Sequence, residues 1–274
     1  MIGAIAGDII GARFERYPVK TTEFSFIPST PTYTDDTVLT VAVADAILSG
    51  RPYGIVLKEY ANKYWWVPYG RAFRVWKRLW SGEPYGGFGN GSAMRVSPVG
   101  WAYNTAGDVL AQAKASAEVT HNHPEGIKGA QCVALSVYMA RNHASKDEIR
   151  SRITARFGYN LDRTIEQIRP DYKYNTTCQG SVPESIIAFL DSESYEGAVR
   201  NAISLGGDAD TMACIAGAIA EPFYGGVPKE IYEMVGKTLP KEMFDMVIKF
   251  NKTIIRKEQN SASPRMDEPD ERIL

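Results

Sequence analysis

The chain has 274 residues, 44% of them hydrophobic and 23% charged, and a formal net charge of −1. That is the make-up of an ordinary globular protein, long enough for one large domain or two small ones, and its charge gives no electrostatic ground for a nucleic-acid or membrane-surface partner. Three cysteines, Cys132, Cys178 and Cys214, lie far apart with no CxxC spacing, which argues against a disulfide framework or a thiolate zinc site and suits a reducing compartment.

At the start, Ile2, Ile5, Ile9 and Ile10 recur at helical spacing and predict a helix with one buried face. Gly3, Gly7 and Gly11 stand four apart, on roughly one side, and permit another backbone to approach closely. No positively charged segment precedes this apolar start, and no stretch reaches transmembrane length without charge, so a soluble cytoplasmic protein is expected. A polar, Thr- and Pro-rich loop covers about Tyr17 to Thr34, and Val38 to Leu48 is the second helix. Segments 54–66 and 71–81 read as aromatic-rich helices. The glycine-rich loop from Gly82 to Ser92 ends where Ala93-Met94-Arg95-Val96 starts another helix. Helices follow over Ala106–Val119, Glu125–Ala140 and Lys146–Phe157. From Tyr159 to Thr177 the pattern fades into loop with short turns. Pro183–Leu190, Tyr195–Leu205 and the small-residue run 208–220 are helical, Tyr224 to Pro228 is a stop, and Lys241–Ile255 is a last amphipathic helix. No segment pair alternates like a hairpin. The expectation is a single all-α domain over 1–256 and a polar C-terminal tail over 257–274.

Two acidic clusters stand at helix starts: Thr34-Asp35-Asp36-Thr37, and Ser204-Leu205-Gly206-Gly207-Asp208-Ala209-Asp210-Thr211. Either alone reads first as a helix cap, since Asp, Ser and Thr satisfy the orphan N–H groups there. Together they also offer what Mg²⁺ and similar hard cations take, carboxylate and hydroxyl oxygens at fixed angles. Asp8 and Glu15, on the glycine-spaced first helix, read by position as exposed acids. The loop Gly86–Ser92 reads either as a turn between helices or as a phosphate cradle, with no Walker or Rossmann signature. His121-Asn122-His123 lacks a third ligand for zinc, so His121 reads as a donor to a bound sugar or phosphate. Phe88 or Tyr85 could stack on a base or ribose.

In this order the motifs Gly7-Asp8-x-x-Gly11-x-x-x-Glu15, Thr34-Asp35-Asp36-Thr37, Gly89-Asn90-Gly91-Ser92-Ala93-Met94-Arg95, Thr120-His121 and Ser204 to Thr211 resemble the ADP-ribosylglycohydrolase family from Met1 to about Pro228. The resemblance implies an all-α, single-domain orthogonal helical bundle with a central metal-binding cleft that holds two Mg²⁺ (or Mn²⁺). It implies Thr34, Asp35, Asp36, Asp208, Asp210 and Thr211 as metal ligands, and Glu15 and Asp35 as catalytic carboxylates. Gly89, Asn90, Gly91, Ser92 and His121 fall on the substrate side, where Phe88 joins them as the aromatic beside the loop, and Tyr172, Tyr174 and Cys178-Gln179 are assigned to the adenine. The implied substrate is an ADP-ribosylated protein or an ADP-ribose-containing small molecule, cleaved at the distal ribose. O-acetyl-ADP-ribose, an ADP-ribosylated nucleic acid, and a non-catalytic ADP-ribose-binding role are the alternatives. All six ligand positions are filled, which favours an enzyme.

Overall fold

In the computed structural model, which describes residues 1–79 and 82–261, the chain is all-α, and no strand forms among the described residues. Two helices are apolar on nearly every side, α1 (Ile2–Arg16) and α13 (Ala209–Phe223), and a helix without a polar face must be enclosed. They lie against each other at the centre. The glycine row of α1 is the reason they can. A Cβ on Gly3 would fall 2.4 Å from the Gly217 carbonyl oxygen, on Gly7 2.1 Å from that of Ala213, and on Gly11 2.5 Å from that of Ala209. As one series ascends the other descends, so the two helices run antiparallel. That register places the last turn of α1, with Glu15, beside the first turn of α13, with Asp208 and Asp210.

Around this pair pack α2 (Asp35–Ser49), α5 (Gly91–Met94), α6 (Ser97–Ala102), α8 (Pro124–Arg141), α11 (Cys178–Leu190), α12 (Tyr195–Ser204) and α14 (Lys229–Thr238). Farther out lie α3 (Tyr53–Lys63), α4 (Arg71–Trp76), α7 (Ala106–Glu118), α9 (Lys146–Phe157), α10 (Ile165–Ile168) and α15 (Lys241–Ser261). Hydroxyl caps start many of them: Thr34, Thr105, Ser145, Thr164, Thr177 and Ser194 each accept from a backbone N–H of the first turn.

Several boundaries differ from the sequence expectation. α3 ends at Lys63 rather than 66, with Pro68 just beyond the stop, as is common past a helix C-terminus. α4 ends at Trp76; Trp80 and Ser81, placed in that helix by pattern, lie outside the described residues. α11 starts five residues before Pro183, at the Thr177 cap, whose Oγ1 accepts from Gly180 N at 3.1 Å. The helix at Ala93 is two short pieces, α5 and α6. α14 was not expected; Ile231, Met234 and Val235, at i, i+3 and i+4, form its buried stripe. α15 passes the boundary expected at 256 and reaches Ser261, and the rest of the tail lies outside the described residues. All three cysteines are buried and unpaired, and no described helix is long and apolar enough to cross a membrane.

Candidate active site

Asp8 is the foundation of the site. The sequence reading makes it an exposed acid; it is fully buried. Its Oδ1 accepts from Thr34 Oγ1 at 2.8 Å, and its Oδ2 accepts from Thr34 N at 3.0 Å, Thr37 N at 3.1 Å and Thr37 Oγ1. A carboxylate so supplied with donors can remain inside. Burial still raises its pKa, against the pull of those four bonds. The effect is to fasten the first turn of α2 onto the middle of α1. Thr34 is thereby turned inward, its hydroxyl given to Asp8, while Asp35 and Asp36 face a cleft of about 530 Å³.

The second cluster enters the same cleft from α13. Carboxylate oxygens of Glu15, Asp208 and Asp210 lie within 4.8 Å of one another. Asp208 is held by Asn90 Nδ2 at 2.7 Å, which also reaches Ser181 Oγ at 3.1 Å, so the glycine loop is tied to the acidic floor. Glu15 accepts from Tyr174 O–H at 3.2 Å. Burial, then the neighbouring acids, raises the carboxyl pKa values: Asp35 is pushed up to about 8, with Asp8 the next cause, and Asp36 and Asp210 rise well above the usual range. Asp208 is pushed up to about 6 by burial, partly offset by Asn90. The buried Asp36 Oδ1 has no hydrogen-bond partner. Crowded carboxylates, an orphaned oxygen and a donor set made only of oxygen fit a hard divalent cation.

The glycine loop forms the opposite wall. Phe88, Gly89, Asn90, Gly91 and His121 line the cleft together with Tyr85, Arg71, Phe73, Thr176 and Arg95. Several backbone donors of the loop are already committed: Gly86 N to Asn122 Oδ1, Gly87 N to Thr120 O and Asn90 N to Thr176 O. Ser92 sits behind the wall, its hydroxyl donated to Gly126 O at 2.8 Å. Burial is the main cause that pushes His121 down to about 3, with the Arg95 charge second.

Of the residues expected as metal ligands, catalytic carboxylates and substrate-side loop, all but Thr34 and Ser92 line this one cleft, whereas none of the four placed near the adenine does. Tyr174 stands at its rim through Glu15. Tyr172 does not face it: its ring fills the space beside Gly207, where a Cβ would fall 2.5 Å from Cε1, and its hydroxyl donates to Gly180 O. Cys178 is buried, its thiol on Gly89 O at 3.1 Å. Sequence reasoning missed the buried role of Asp8. The signal for Asp8 was its place on the glycine-spaced helix, where a solvent-facing acid has no room.

An all-helical body with two acidic helix starts at the floor of one cleft and a glycine loop on its wall defines the class. A profile of ADP-ribosylglycohydrolases matches residues 1–260, and the chain belongs to the ADP-ribosylglycohydrolase family. It is similar to ADP-ribosylhydrolase ARH3 of Gallus gallus, 29% identical over 308 residues that cover 82% of this chain and 84% of that one. It is also similar to ADP-ribosylarginine hydrolase Tri1 of Pseudomonas putida (strain GB-1), 24% identical over 285 residues, covering 89% and 76%. A solved structure titled "ADP-ribosylglycohydrolase-related protein complex" shares the fold at a TM-score of 0.69 and 21% identity, covering 92% of this chain and 96% of that one.

Proposed function

We propose that the protein is a metal-dependent hydrolase of the bond between the distal ribose of ADP-ribose and an acceptor, with a modified protein side chain as acceptor. The reading rests on one observation above all: the Glu15, Asp208 and Asp210 oxygens converge on the floor of a cleft whose wall is the Gly89–Gly91 loop and His121. Membership of the family and the names of the ADP-ribosylhydrolase relatives support it.

Asp35, Asp36, Asp208, Asp210 and Thr211 would hold two Mg²⁺ (or Mn²⁺) ions, and Thr34 would add only a lone pair of the hydroxyl oxygen that donates to Asp8. When bound, such ions ligate sugar hydroxyls and acidify a water. The chain's own groups do the rest. Cleavage at C1 passes through an oxocarbenium-like state, which a cluster of carboxylates stabilises by charge. Asp35 or Glu15 takes the proton from the attacking water or hands one to the leaving group. No dense group of Lys and Arg lines the cleft to neutralise a diphosphate, so that moiety would be held by the Gly89–Gly91 loop and His121, with Phe88 covering the ligand.

The test is to incubate the protein with Arg- and Ser-ADP-ribosylated peptides and with O-acetyl-ADP-ribose, in Mg²⁺ and in EDTA, and to score ADP-ribose release. Release that EDTA stops and Mg²⁺ or Mn²⁺ restores is expected. Indifference to chelation removes the metal from the proposal, and no release from any substrate removes the activity.

A further inference from the structure

Beside the glycine wall, bordering the cleft, is a buried guanidinium that the proposed chemistry does not use. Arg95 is wholly inaccessible to solvent. Its Nη2 donates to Ser116 O and to Thr120 Oγ1, both at 2.8 Å, while its Nε and Nη1 have no hydrogen-bond partner. Thr120 Oγ1 lies 2.7 Å from His121 Nδ1 and 3.4 Å from Ala117 O.

The proton count across these contacts is restrictive. A guanidinium can only donate, so Arg95 takes one lone pair of Thr120 Oγ1 and leaves the hydroxyl hydrogen to be placed elsewhere. At 3.4 Å the Ala117 carbonyl is a poor acceptor, whereas 2.7 Å is the separation of a good hydroxyl donor bond and short for an N–H···O bond. The Tyr85 hydroxyl also lies against Thr120, but the 2.7 Å contact is the closest one open to the hydrogen, which therefore goes to Nδ1. The Tyr85 hydroxyl, 3.5 Å from the same nitrogen, can also only reinforce acceptance there if it donates. A neutral imidazole with Nδ1 accepting carries its hydrogen on Nε2. That nitrogen is turned to the loop: a Cβ on Gly91 would fall 3.2 Å from it and one on Gly89 3.8 Å.

The geometry points to Arg95 as a positioning residue that fixes, through Thr120, the tautomer of His121, so that His121 presents a neutral Nε2–H donor to an anionic oxygen of the substrate held against Gly89–Gly91. The inference rests on the diphosphate-containing substrate proposed above. With the opposite tautomer the Nε2 lone pair would face the anion and repel it. Burial and the nearby Arg95 charge both disfavour the imidazolium, so the donor is a hydrogen bond and not a charge.

The experiment is nitrogen NMR of the full-length protein labelled at histidine, with His121 assigned by His121→Gln, alongside calorimetry with ADP-ribose. In the unmodified protein at neutral pH, His121 should show a protonated Nε2 and a bare Nδ1. Thr120→Val and Arg95→Met should each admit the second tautomer and weaken ADP-ribose roughly tenfold, the worth of about one hydrogen bond, and Thr120→Ser should restore both readings. Arg95 donates to neutral groups, so Arg95→Met strands no buried counter-charge, which keeps the variant informative. A proton on Nδ1 in the unmodified protein overturns the assignment, as does an unchanged tautomer in both Thr120→Val and Arg95→Met. Failure of ADP-ribose to bind overturns the donor role. Absence of turnover alone strikes the proposed reaction and leaves the NMR result standing.

Discussion

At the residue scale the site is a set of acids whose roles follow from what their oxygens touch. Asp8 accepts hydrogen bonds only from the neutral groups of Thr34 and Thr37 and serves as an anchor. Asp8→Ala strands those buried N–H groups and should cost about 3 kcal/mol of unfolding free energy in urea titrations. Asp35 and Asp210 face the cleft, so Asp35→Asn and Asp210→Ala should lower kcat by roughly 10²–10⁴ with an unchanged circular dichroism spectrum. Wild-type rates in both would remove them from the machinery. Most of these residues could be read from the chain as hydroxyl–carboxylate pairs at helix starts. Asp8 could not, because its environment is made by threonines 26 and 29 residues away. Nor could the inward turn of Ser92, which depends on a carbonyl of α8.

At the element scale the α1–α13 contact sets the distances in the cleft. Gly7 has the tightest approach of the row, 2.1 Å from the Ala213 carbonyl oxygen, which is backbone and cannot rotate away. Gly7→Ala must push the helices apart. It should destabilise the protein by roughly 1–3 kcal/mol and lower activity beyond what partial unfolding explains, because Glu15 leaves Asp208 and Asp210. Activity per folded molecule that stays at the wild-type level would show that the register does not control the site. The close approach was legible from glycines four apart, although their partner was not. The segment from Tyr17 to Thr34 was legible only as loop. It is held in place by Lys20, whose Nζ donates to the carbonyls of Arg169, Tyr172 and Leu205, contacts with no local pattern. α14 went unread because its stripe of Ile231, Met234 and Val235 is too short to stand out beyond the Tyr224–Pro228 stop.

At the scale of the whole molecule, the fold concentrates carboxyl groups where water is scarce. Burial is the main cause that holds Asp208 at about 6 and Asp35 at about 8, against an ordinary 3.8. Between about pH 4 and pH 8 the native protein therefore keeps protons that the unfolded chain has released. The native state binds more, so stability falls as pH rises through that window. A rise from 3.8 to about 6 corresponds to on the order of 3 kcal/mol. Protein treated with EDTA should melt at a lower temperature at pH 8 than at pH 5, and millimolar Mg²⁺ should raise the pH 8 value more. Equal melting temperatures in EDTA would show that the acids are not so crowded. The arrangement also imposes a timetable. Gly3 N donates to Glu221, 218 residues along the chain. On a ribosome adding roughly 5–20 residues per second, α1 waits roughly ten to forty seconds for α13 to emerge. Until then its glycine face is bare, and half of the acidic cluster does not exist. A nascent chain therefore has no cleft to bind substrate, and hydrolysis begins only once the late helix has closed on the first one.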